Sequence, residues 1–298
     1  MRHPSLAALL LASLAACASG PAADAVPEPS ASATAEAPSA TSSSGAPTTT
    51  ASALASAVPA PPRRQMVAFR TTPESVAVVA AKDRAEDDLK LDAGRKPAEL
   101  LSFFGVGKGM KVAELGAGGG YSAELFARAV GPTGKVYGQN SKLLLERFAE
   151  KPWSERLKKP VMKNVVRVDR EFDDPLPPDA KNLDAVFLIM FYHDTVWQKT
   201  DRAKMNAAIF AALKPGGLYG IIDHSGKPGT GVTEAESLHR IEESVLLKEV
   251  QAAGFIVERE SDFLRNPDDA LDWSTSPRNA GEKRGTSDRF AIVFKRPS

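Results

Sequence analysis

One short stretch constrains the fold of this chain more than any other. An apolar run at 110–115 ends in Gly-Ala-Gly-Gly-Gly, and a helical pattern follows from Tyr121 to Val130. Glycine lets the backbone take a positive φ and lets another group approach the main chain closely. The start of the helix adds backbone N–H groups that have no partner within it. The stretch therefore predicts a strand, a tight turn and a helix, with a ligand site at the turn.

Strand and helix patterns alternate over the rest of the chain. Seven segments are typical of strands: 110–115, 135–138, 164–168, 183–190, 218–222, 255–260 and 290–295. Helical patterns separate the first five, which predicts an α/β fold with a mostly parallel sheet. No clear helix separates the last two, so we expect an antiparallel end to the sheet. Thr233 and Glu236 have the spacing of a capping box, which predicts a helix ending at Gly254 that carries His239 and Arg240.

The first 62 residues differ from the rest. Residues 1–17 combine Arg2, an apolar stretch and small residues, the layout of a secretory signal peptide. Residues 18–62 contain no Lys or Arg and are nearly all Ala, Ser, Thr or Pro. Such a segment buries too little apolar surface to offset the entropy of ordering, so we expect a disordered linker. A folded domain then occupies 63–298, long enough for one sizeable core.

The end of the signal region carries a more specific pattern. Leu14-Ala15-Ala16-Cys17 resembles the lipobox of bacterial lipoproteins. The resemblance implies cleavage before Cys17, a lipid anchor on that residue, and export to the cell envelope. Ala18 after the cysteine is similar to sorting signals for the periplasmic side of the outer membrane. The alternative is an Ala-rich N-terminus with an incidental cysteine. Cys17 is the only cysteine, which excludes an internal disulfide framework and a multi-cysteine zinc site.

Charge and composition limit the partners. The chain has 38 Lys+Arg and 37 Asp+Glu, a balance that argues against a nucleic-acid binder relying on bulk charge. No groove of interleaved aromatic and basic residues is apparent, so the sequence predicts a small-molecule substrate and no nucleic-acid partner. It does not indicate an oligomeric state.

The spacing of the glycines narrows the ligand. A dinucleotide-binding Gly-x-Gly-x-x-Gly turn would need its third glycine at Tyr121. Here Gly116, Gly118 and Gly120 alternate, and Glu114 stands two positions before the first. At this point the sequence resembles the class I S-adenosylmethionine-dependent methyltransferases. The resemblance implies S-adenosyl-L-methionine as cofactor and a Rossmann-like, seven-stranded sheet with an antiparallel last strand and helices on both faces.

Further segments extend this resemblance. Residues 135–140 are similar to the family's second strand, whose end normally carries an acidic residue for the ribose hydroxyls. Here Gln139 or Asn140 takes that place, and an amide can still donate to and accept from a hydroxyl. Asp169 stands where the family places a residue near the adenine. The resemblance thus assigns the cofactor to these residues: Glu114, Gly116, Gly118, Gly120, Asn140 and Asp169. Glu114 has the alternative of a strand-end carboxylate without a ligand.

Candidate catalytic residues follow the fourth strand. Tyr192-His193-Asp194, Asp223-His224 and Leu238-His239-Arg240-Ile241 resemble a bacterial subgroup of predicted methyltransferases. The first two follow strands, at the edge where open α/β sheets bind ligands. His193 could accept a proton from the methyl acceptor, with Tyr192 and Asp194 beside it. Alternatively, His193 caps the strand end or pairs with Asp194 structurally. His239 and Arg240 are only a substrate-side suggestion.

Two functions are consistent with these patterns. The first is a methyltransferase whose acceptor enters over Tyr192, His193, Asp194 and His224. The second is a membrane-tethered binding module that kept the fold without the chemistry, because S-adenosylmethionine is made in the cytoplasm and this chain carries an export signal. His193, Asp194, Asp223 and His224 could in principle bind a metal. No spacing fixes both pairs, so the sequence predicts no metal site.

Overall fold

The computed structural model describes Met66 and residues 69–298. The predicted signal peptide at 1–17, its Cys17, and the linker at 18–62 lie outside the described residues and stay predictions. Among the described residues, no helix is long and apolar enough to cross a bilayer.

One mixed sheet organises the described part of the chain. Its strands are β1 (Lys111–Leu115), β2 (Lys135–Asn140), β3 (Val165–Asp169), β4 (Leu183–Ile189), β5 (Leu213–His224), β6 (Ile256–Ser261) and β7 (Arg289–Lys295). They lie in the order β3-β2-β1-β4-β5-β7-β6. Only β7 runs antiparallel to its neighbours, and the remaining pairs are parallel. The predicted fold class is confirmed, and each strand overlaps a predicted segment.

The helices connect and cover these strands. They are α1 (Pro73–Val79), α2 (Glu86–Arg95), α3 (Pro97–Phe104), α4 (Tyr121–Val130), α5 (Lys142–Leu144), α6 (Glu150–Leu157), α7 (Tyr192–Trp197), α8 (Arg202–Ala212) and α9 (Glu243–Ala252). Two of them follow the predicted stop and start signals closely. Gly105 ends α3 in the left-handed conformation, and α4 begins at Tyr121 directly after the glycine turn.

Two hydrophobic cores lie on opposite faces of the sheet. Ala113 and Leu115 of β1 pack in the core that contains Ile209 of α8 and Leu246 of α9. Val112, one position earlier, belongs to the other core, with side chains from α3 and α4. This alternation follows from the two-residue repeat of a strand. Both faces of β1 are therefore buried under helices, as the fold-class prediction required.

The structure does not form the helix that the sequence predicts from Thr233. The structure begins α9 only at Glu243, and the chain before it forms successive turns. Ile241 pairs with Ser225 in an isolated parallel bridge, which requires extended backbone where the predicted helix would continue. The capping-box spacing was therefore outweighed by a tertiary contact.

Arg240 shows why this segment leaves the helix. Its guanidinium is fully buried, with Nη1 3.0 Å from Asp269 Oδ2 and donating to the Ser225 carbonyl at 2.9 Å. The guanidinium also lies 4.9 Å from the ring centre of Trp273. A helix starting at Thr233 would not serve these contacts. The prediction that a helix carries His239 and Arg240 is wrong. Arg240 forms an internal ion pair with Asp269 and does not face a substrate site.

Candidate active site

The polar residues singled out in the sequence gather at one edge of the sheet. Because β1, β2, β4 and β5 are parallel, their carboxyl ends lie at the same edge. The glycine turn follows β1, helix α7 follows β4, and His224 ends β5. Residues that are far apart in the sequence are thereby brought to one side of the molecule.

The three alternating glycines of the turn have different structural roles. All have positive φ: +66° at Gly116, +56° at Gly118 and +82° at Gly120. A Cβ on Gly116 would lie 2.9 Å from Phe191 Cγ, and one on Gly120 would lie 2.4 Å from Trp153 Cζ3. A Cβ on Gly118 would meet no atom within 4 Å. Gly116 and Gly120 therefore permit close packing, while Gly118 faces open space that a ligand can enter.

The end of β2 holds the turn in place. The Gly116 amide donates to Gln139 Oε1 at 2.9 Å. The Gly118 amide donates to Asn140 Oδ1 at 2.7 Å, and Asn140 Nδ2 donates back to the Gly118 carbonyl at 3.1 Å. Both amide side chains are fully buried. Asn140 thus lies beside the turn, as its predicted role requires, but the turn itself satisfies its amide.

Asp169 lies one strand further along the same edge. It is the register partner of Asn140 in the β2–β3 pair. Its side chain is exposed, and its Oδ1 accepts from Arg167 Nε at 2.9 Å. The carboxylate is therefore accessible at the edge of the site, where a role near an adenine stays a prediction.

Glu114 is a buried acid at the end of β1. The Ser122 hydroxyl of α4 donates to Oε1, while Oε2 is buried without a hydrogen-bond partner. Burial raises the pKa of this carboxyl to about 7, although Ser122 and Arg95 oppose the rise. A large fraction of Glu114 is therefore protonated at neutral pH, because only one donor compensates for its lost hydration.

Two guanidinium groups face a small cavity above the first turn of α4. The cavity is lined by Arg95, Tyr121, Met190 and Arg289, among others. Arg95 lies 4.4 Å from the Tyr121 ring centre and forms no ion pair within the described residues. Burial and the charge of Arg95 lower the pKa of Arg289 to about 10. Acidic side chains, among them Glu114 and Asp288, act on these two cations without forming an ion pair with them, and the sequence analysis missed this arrangement.

A larger groove lies away from this chemistry. It measures about 1240 Å³ and is lined by the amino ends of strands, including Lys111 and Lys135. It lies at the opposite edge of the sheet, and none of the three turn glycines lines it. Its size therefore does not make it the active site, because the strand order places the ligand crevice at the carboxyl edge.

His193 is the centre of a second cluster at the active edge. It lies in the first turn of α7, with its side chain almost fully buried. Its Nδ1 is 2.7 Å from Asp223 Oδ1, and its backbone amide donates to Asp223 Oδ2 at 2.7 Å. Its Nε2 lies 3.3 Å from Asp194 Oδ1 and 3.2 Å from His239 Nδ1. The Asp223 carboxylate thus orients the ring so that Nε2 faces Asp194 and His239.

The charges of this cluster depend on one another. Burial alone would lower the pKa of His193, but Asp223 and Asp194 outweigh it and raise that pKa to about 10. Burial alone would raise the pKa of Asp194, but His193 holds it well below its usual range. A proton on His193 at neutral pH matches the interpretation that it pairs with Asp194. It opposes the role of His193 as a general base.

Two other predicted residues, Tyr192 and His224, already have hydrogen-bond partners within the protein. The Tyr192 hydroxyl donates to Glu249 Oε2 at 2.7 Å and accepts from Asn206 Nδ2 at 3.0 Å, and the ring is fully buried. A catalytic role for Tyr192 stays a prediction, but its hydroxyl already has two partners. His224 Nδ1 lies 2.8 Å from Ser287 Oγ, and burial, with the charge of His193, lowers its pKa well below the ordinary range.

His239 joins the cluster for a reason that no local pattern indicates. It has a φ of +53°, which turns the chain before the Ser225–Ile241 bridge. Its Nδ1 lies 3.1 Å from Asp194 Oδ1. The contact spans 45 residues of sequence and depends on a tertiary turn, so spacing alone could not have found it.

The fold and the site together define a class. A glycine turn after β1 of a sheet in this strand order, with polar residues at the carboxyl edge, is the arrangement of the Rossmann-like methyltransferase fold. The sequence profile of the protein-L-isoaspartate(D-aspartate) O-methyltransferase family matches residues 82–168. That range contains β1, the turn, β2 and all of β3 except its last residue, Asp169. No curated protein sequence gives a significant match.

Solved structures of similar fold are S-adenosylmethionine-dependent methyltransferases. A candidate sarcosine dimethylglycine methyltransferase from Galdieria sulphuraria has a TM-score of 0.51 at 17% identity, covering 71% of this chain and 88% of that protein. A SAM-dependent methyltransferase from Aquifex aeolicus has a TM-score of 0.49 at 19% identity, covering 74% and 97%. Fibrillarin from Aeropyrum pernix, with natively bound S-adenosyl-L-methionine, has a TM-score of 0.42 at 14% identity, covering 63% and 67%. These similarities concern the fold.

Proposed function

We propose that this chain is an S-adenosylmethionine-dependent methyltransferase that acts on a small-molecule acceptor. The observation that carries the proposal is the turn at the end of β1. Its middle glycine, Gly118, combines a positive φ with open space, and it lies at the ligand edge of a sheet with methyltransferase strand order. The positive φ by itself favours glycine, and the open space at its Cβ position is what leaves room for a ligand.

The residues around the turn fit the parts of the cofactor. Backbone approach at Gly118 suits the methionine portion, and the unpaired guanidinium of Arg95 suits a carboxylate. Asn140 positions the turn through its two hydrogen bonds with Gly118. Asp169, the register partner of Asn140 at the β3 end, would meet the nucleoside. Glu114 lies beneath the first turn of α4, where its pKa of about 7 leaves about half of it neutral at pH 7.

The acceptor side belongs to the second half of the chain. The family similarity ends at residue 168, before β4, so it does not extend to the residues that would select the acceptor. His193 and Asp194 of α7 lie at this edge, and the cavity with Arg95 and Arg289 adjoins the end of β4.

Methyl transfer depends mainly on the alignment of the acceptor with the methyl group of the sulfonium. In methyl transfer, the acceptor's lone pair attacks the methyl carbon while the carbon–sulfur bond breaks and its electron pair stays on sulfur. The sulfonium becomes a neutral thioether. Holding the two reactants in line in a site that excludes water supplies much of the rate. The buried residues around Gly118 and Phe191 provide such a boundary.

Calorimetry with S-adenosylmethionine and its demethylated product tests the proposal. We expect the full chain to bind at least one of them at sub-millimolar concentration. Gly118→Ala should weaken binding by tenfold or more, because a methyl group then occupies the space that the ligand needs. The positive φ is also strained in this variant, which costs about 1–3 kcal/mol of stability. The result that contradicts the proposal is no binding of either compound to the unmodified chain.

A matched variant separates ligand exclusion from backbone strain. Gly281 has a φ of +51°, and a Cβ there would also meet no atom within 4 Å. It lies in an exposed short helix away from the turn. Gly281→Ala should therefore cost similar stability while leaving nucleoside affinity within about twofold of the unmodified chain.

A further inference from the structure

Three side chains from two distant segments converge at the active edge. His193 Nε2, Asp194 Oδ1 and His239 Nδ1 lie 3.1, 3.2 and 3.3 Å from one another. His193 and Asp194 are in the first turn of α7, while His239 belongs to the irregular segment before α9. Neither the sequence resemblance nor the family similarity assigns a role to this triangle of atoms.

The hydrogen bonds of the triangle leave two acceptor atoms close to one donor position. Asp223 is a carboxylate acceptor, so the Nδ1 atom of His193 that faces it carries a proton. On a neutral ring, Nε2 then presents a lone pair toward the carboxylate of Asp194. The indole N–H of Trp197 already donates to the same Asp194 oxygen at 2.7 Å. A proton on His239 Nδ1 can point at only one of these two acceptors, and a cation between the three atoms would satisfy all of them.

The spacing of the three atoms matches a metal ion. Two imidazoles and a carboxylate are a common ligand set for divalent transition metals. With metal–ligand bonds of about 2.0–2.1 Å, the ligand atoms on one face of a tetrahedron lie about 3.3 Å apart. The same bonds at right angles would place them about 2.9 Å apart. The observed separations of 3.1–3.3 Å are closer to the tetrahedral value.

The surroundings supply what such a site needs. Asp223 accepts from His193 Nδ1 and from two backbone amides, those of His193 and His224. A carboxylate behind a ligating histidine fixes its tautomer and raises its basicity. The His239 side chain is 25% exposed, whereas that of His193 is 3% exposed, so the cluster opens to solvent on the side of His239.

We propose that His193, Asp194 and His239 bind a zinc-type divalent metal ion as three corners of a tetrahedron, leaving the fourth position open. Asp223 and Trp197 hold the ligands in place. Ion binding by these residues does not depend on the proposed function. The use of the open position does rest on it: an acceptor carrying a hydroxyl or thiol would bind there and lose its proton to solvent. The resulting oxyanion or thiolate would then take the methyl group from the sulfonium, whose sulfur keeps the electron pair.

Metal uptake by the full chain tests the site. Every version of the protein carries Cys17→Ser, so that the only thiol cannot bind metal. Zn²⁺ titration against a chromophoric chelator should show one tight site per chain, and Co²⁺ should give the intense visible absorption of a tetrahedral centre. No uptake at micromolar metal, or uptake without that absorption, overturns the proposal and leaves a proton-held ion pair.

Three variants locate the ion. His239→Gly removes one ligand and suits the positive φ, so the fold should be kept. We expect it to weaken Zn²⁺ binding more than about 100-fold, since even an outer-shell partner is worth about 10- to 100-fold. Asp194→Asn should have a similar effect. His224→Asn is the matched control, because that histidine bonds Ser287 outside the triangle and its replacement should keep binding within about threefold. Equal affinities in all versions would overturn the assignment.

Two added measurements separate this proposal from the proposed function. 2-Mercaptoethanol added to the Co²⁺-loaded protein should produce a thiolate-to-cobalt charge-transfer band if the fourth position is open, and its absence contradicts an open position. Calorimetry with the demethylated cofactor is run on metal-free and Zn²⁺-loaded protein. Nucleoside binding without metal uptake overturns the metal site alone. Metal uptake without nucleoside binding supports the metal site and overturns the proposed function.

Discussion

The glycine turn and the histidine–aspartate cluster lie on the same edge of the sheet but are built in opposite ways. The turn is contiguous, at 116–120, and its conformation is specified by glycines with positive φ. The cluster consists of side chains from α7, the end of β5 and the turn at His239. The comparison teaches that a backbone-built site is local in sequence, whereas a side-chain-built site exists only after the sheet and its loops have assembled.

Two buried acids show the same contrast in their electrostatics. Glu114 ends β1 and accepts one hydrogen bond, from Ser122, while its second oxygen has no partner. Asp223 is at the end of β5 and accepts three, from His193 Nδ1 and the amides of His193 and His224. Burial is nearly complete at both positions. The two acids therefore differ in how many donors replace the water lost on burial, and the single donor at Glu114 leaves its pKa raised.

The largest effect is expected within the turn itself. Gly120→Ala should cost about 3–5 kcal/mol of unfolding free energy, because a Cβ would lie 2.4 Å from the fully buried Trp153 ring and φ is +82°. Gly118→Ala should cost only about 1–2 kcal/mol, since nothing lies near its Cβ. Urea denaturation measures both. Similar losses at the two positions would contradict the division of the turn into a packing glycine and a ligand-facing glycine.

A second prediction concerns Glu114, the buried acid with one hydrogen-bond donor, and the pH dependence of stability that it causes. The pKa of Glu114 is about 7 in the folded protein and 4.5 in a free side chain, so the folded state binds its proton more tightly. The resulting stabilisation is complete below pH 4.5 and is lost as pH rises through 7. Glu114→Gln removes this dependence. At pH 8, relative to pH 4, the variant should gain about 3 kcal/mol over the unmodified chain.

The measurement for Glu114 is a difference between two proteins at two pH values. Urea denaturation of the unmodified chain and of Glu114→Gln is compared at pH 4 and pH 8, so that the other titrating groups cancel. A stability difference that is the same at both values would show that Glu114 is ionised in the folded state. That outcome would remove the contrast between the two buried acids.

The sequence predicted the backbone features of the molecule well. All seven strands were found because each contains a short group of apolar residues, and α3 and α4 because glycines end or precede them. The helix expected from Thr233 was wrong because the buried Arg240–Asp269 pair and the bridge of Ile241 override a local capping pattern. Local signals succeed where the structure is local.

The candidate site was predictable to different depths. The turn glycines came from spacing, and His193 and Asp194 came from their position after a strand. Arg95 was not found as a site residue, and His239 was only a substrate-side suggestion on a predicted helix. Each reaches the edge through a tertiary arrangement that no periodicity encodes. Asn140 was placed correctly beside the turn, but its hydrogen bonds with Gly118 follow from side-chain geometry that a strand pattern does not contain.

The smallest effect distinguishes two roles for Asn140. If its amide mainly holds the turn, Asn140→Asp should cost about 2 kcal/mol of stability, because the donor to the Gly118 carbonyl is replaced by an oxygen 3.1 Å from it. Nucleoside affinity should then fall together with stability. If the side chain instead serves the ribose hydroxyls, the added carboxylate should tighten nucleoside binding.

Asp169→Asn is the control for this substitution. That exposed acid pairs with Arg167, so the stability of the variant should change by less than about 0.5 kcal/mol. Tighter binding by Asn140→Asp would make the β2 end part of the ligand site and weaken the distinction between a backbone-built turn and a side-chain-built cluster.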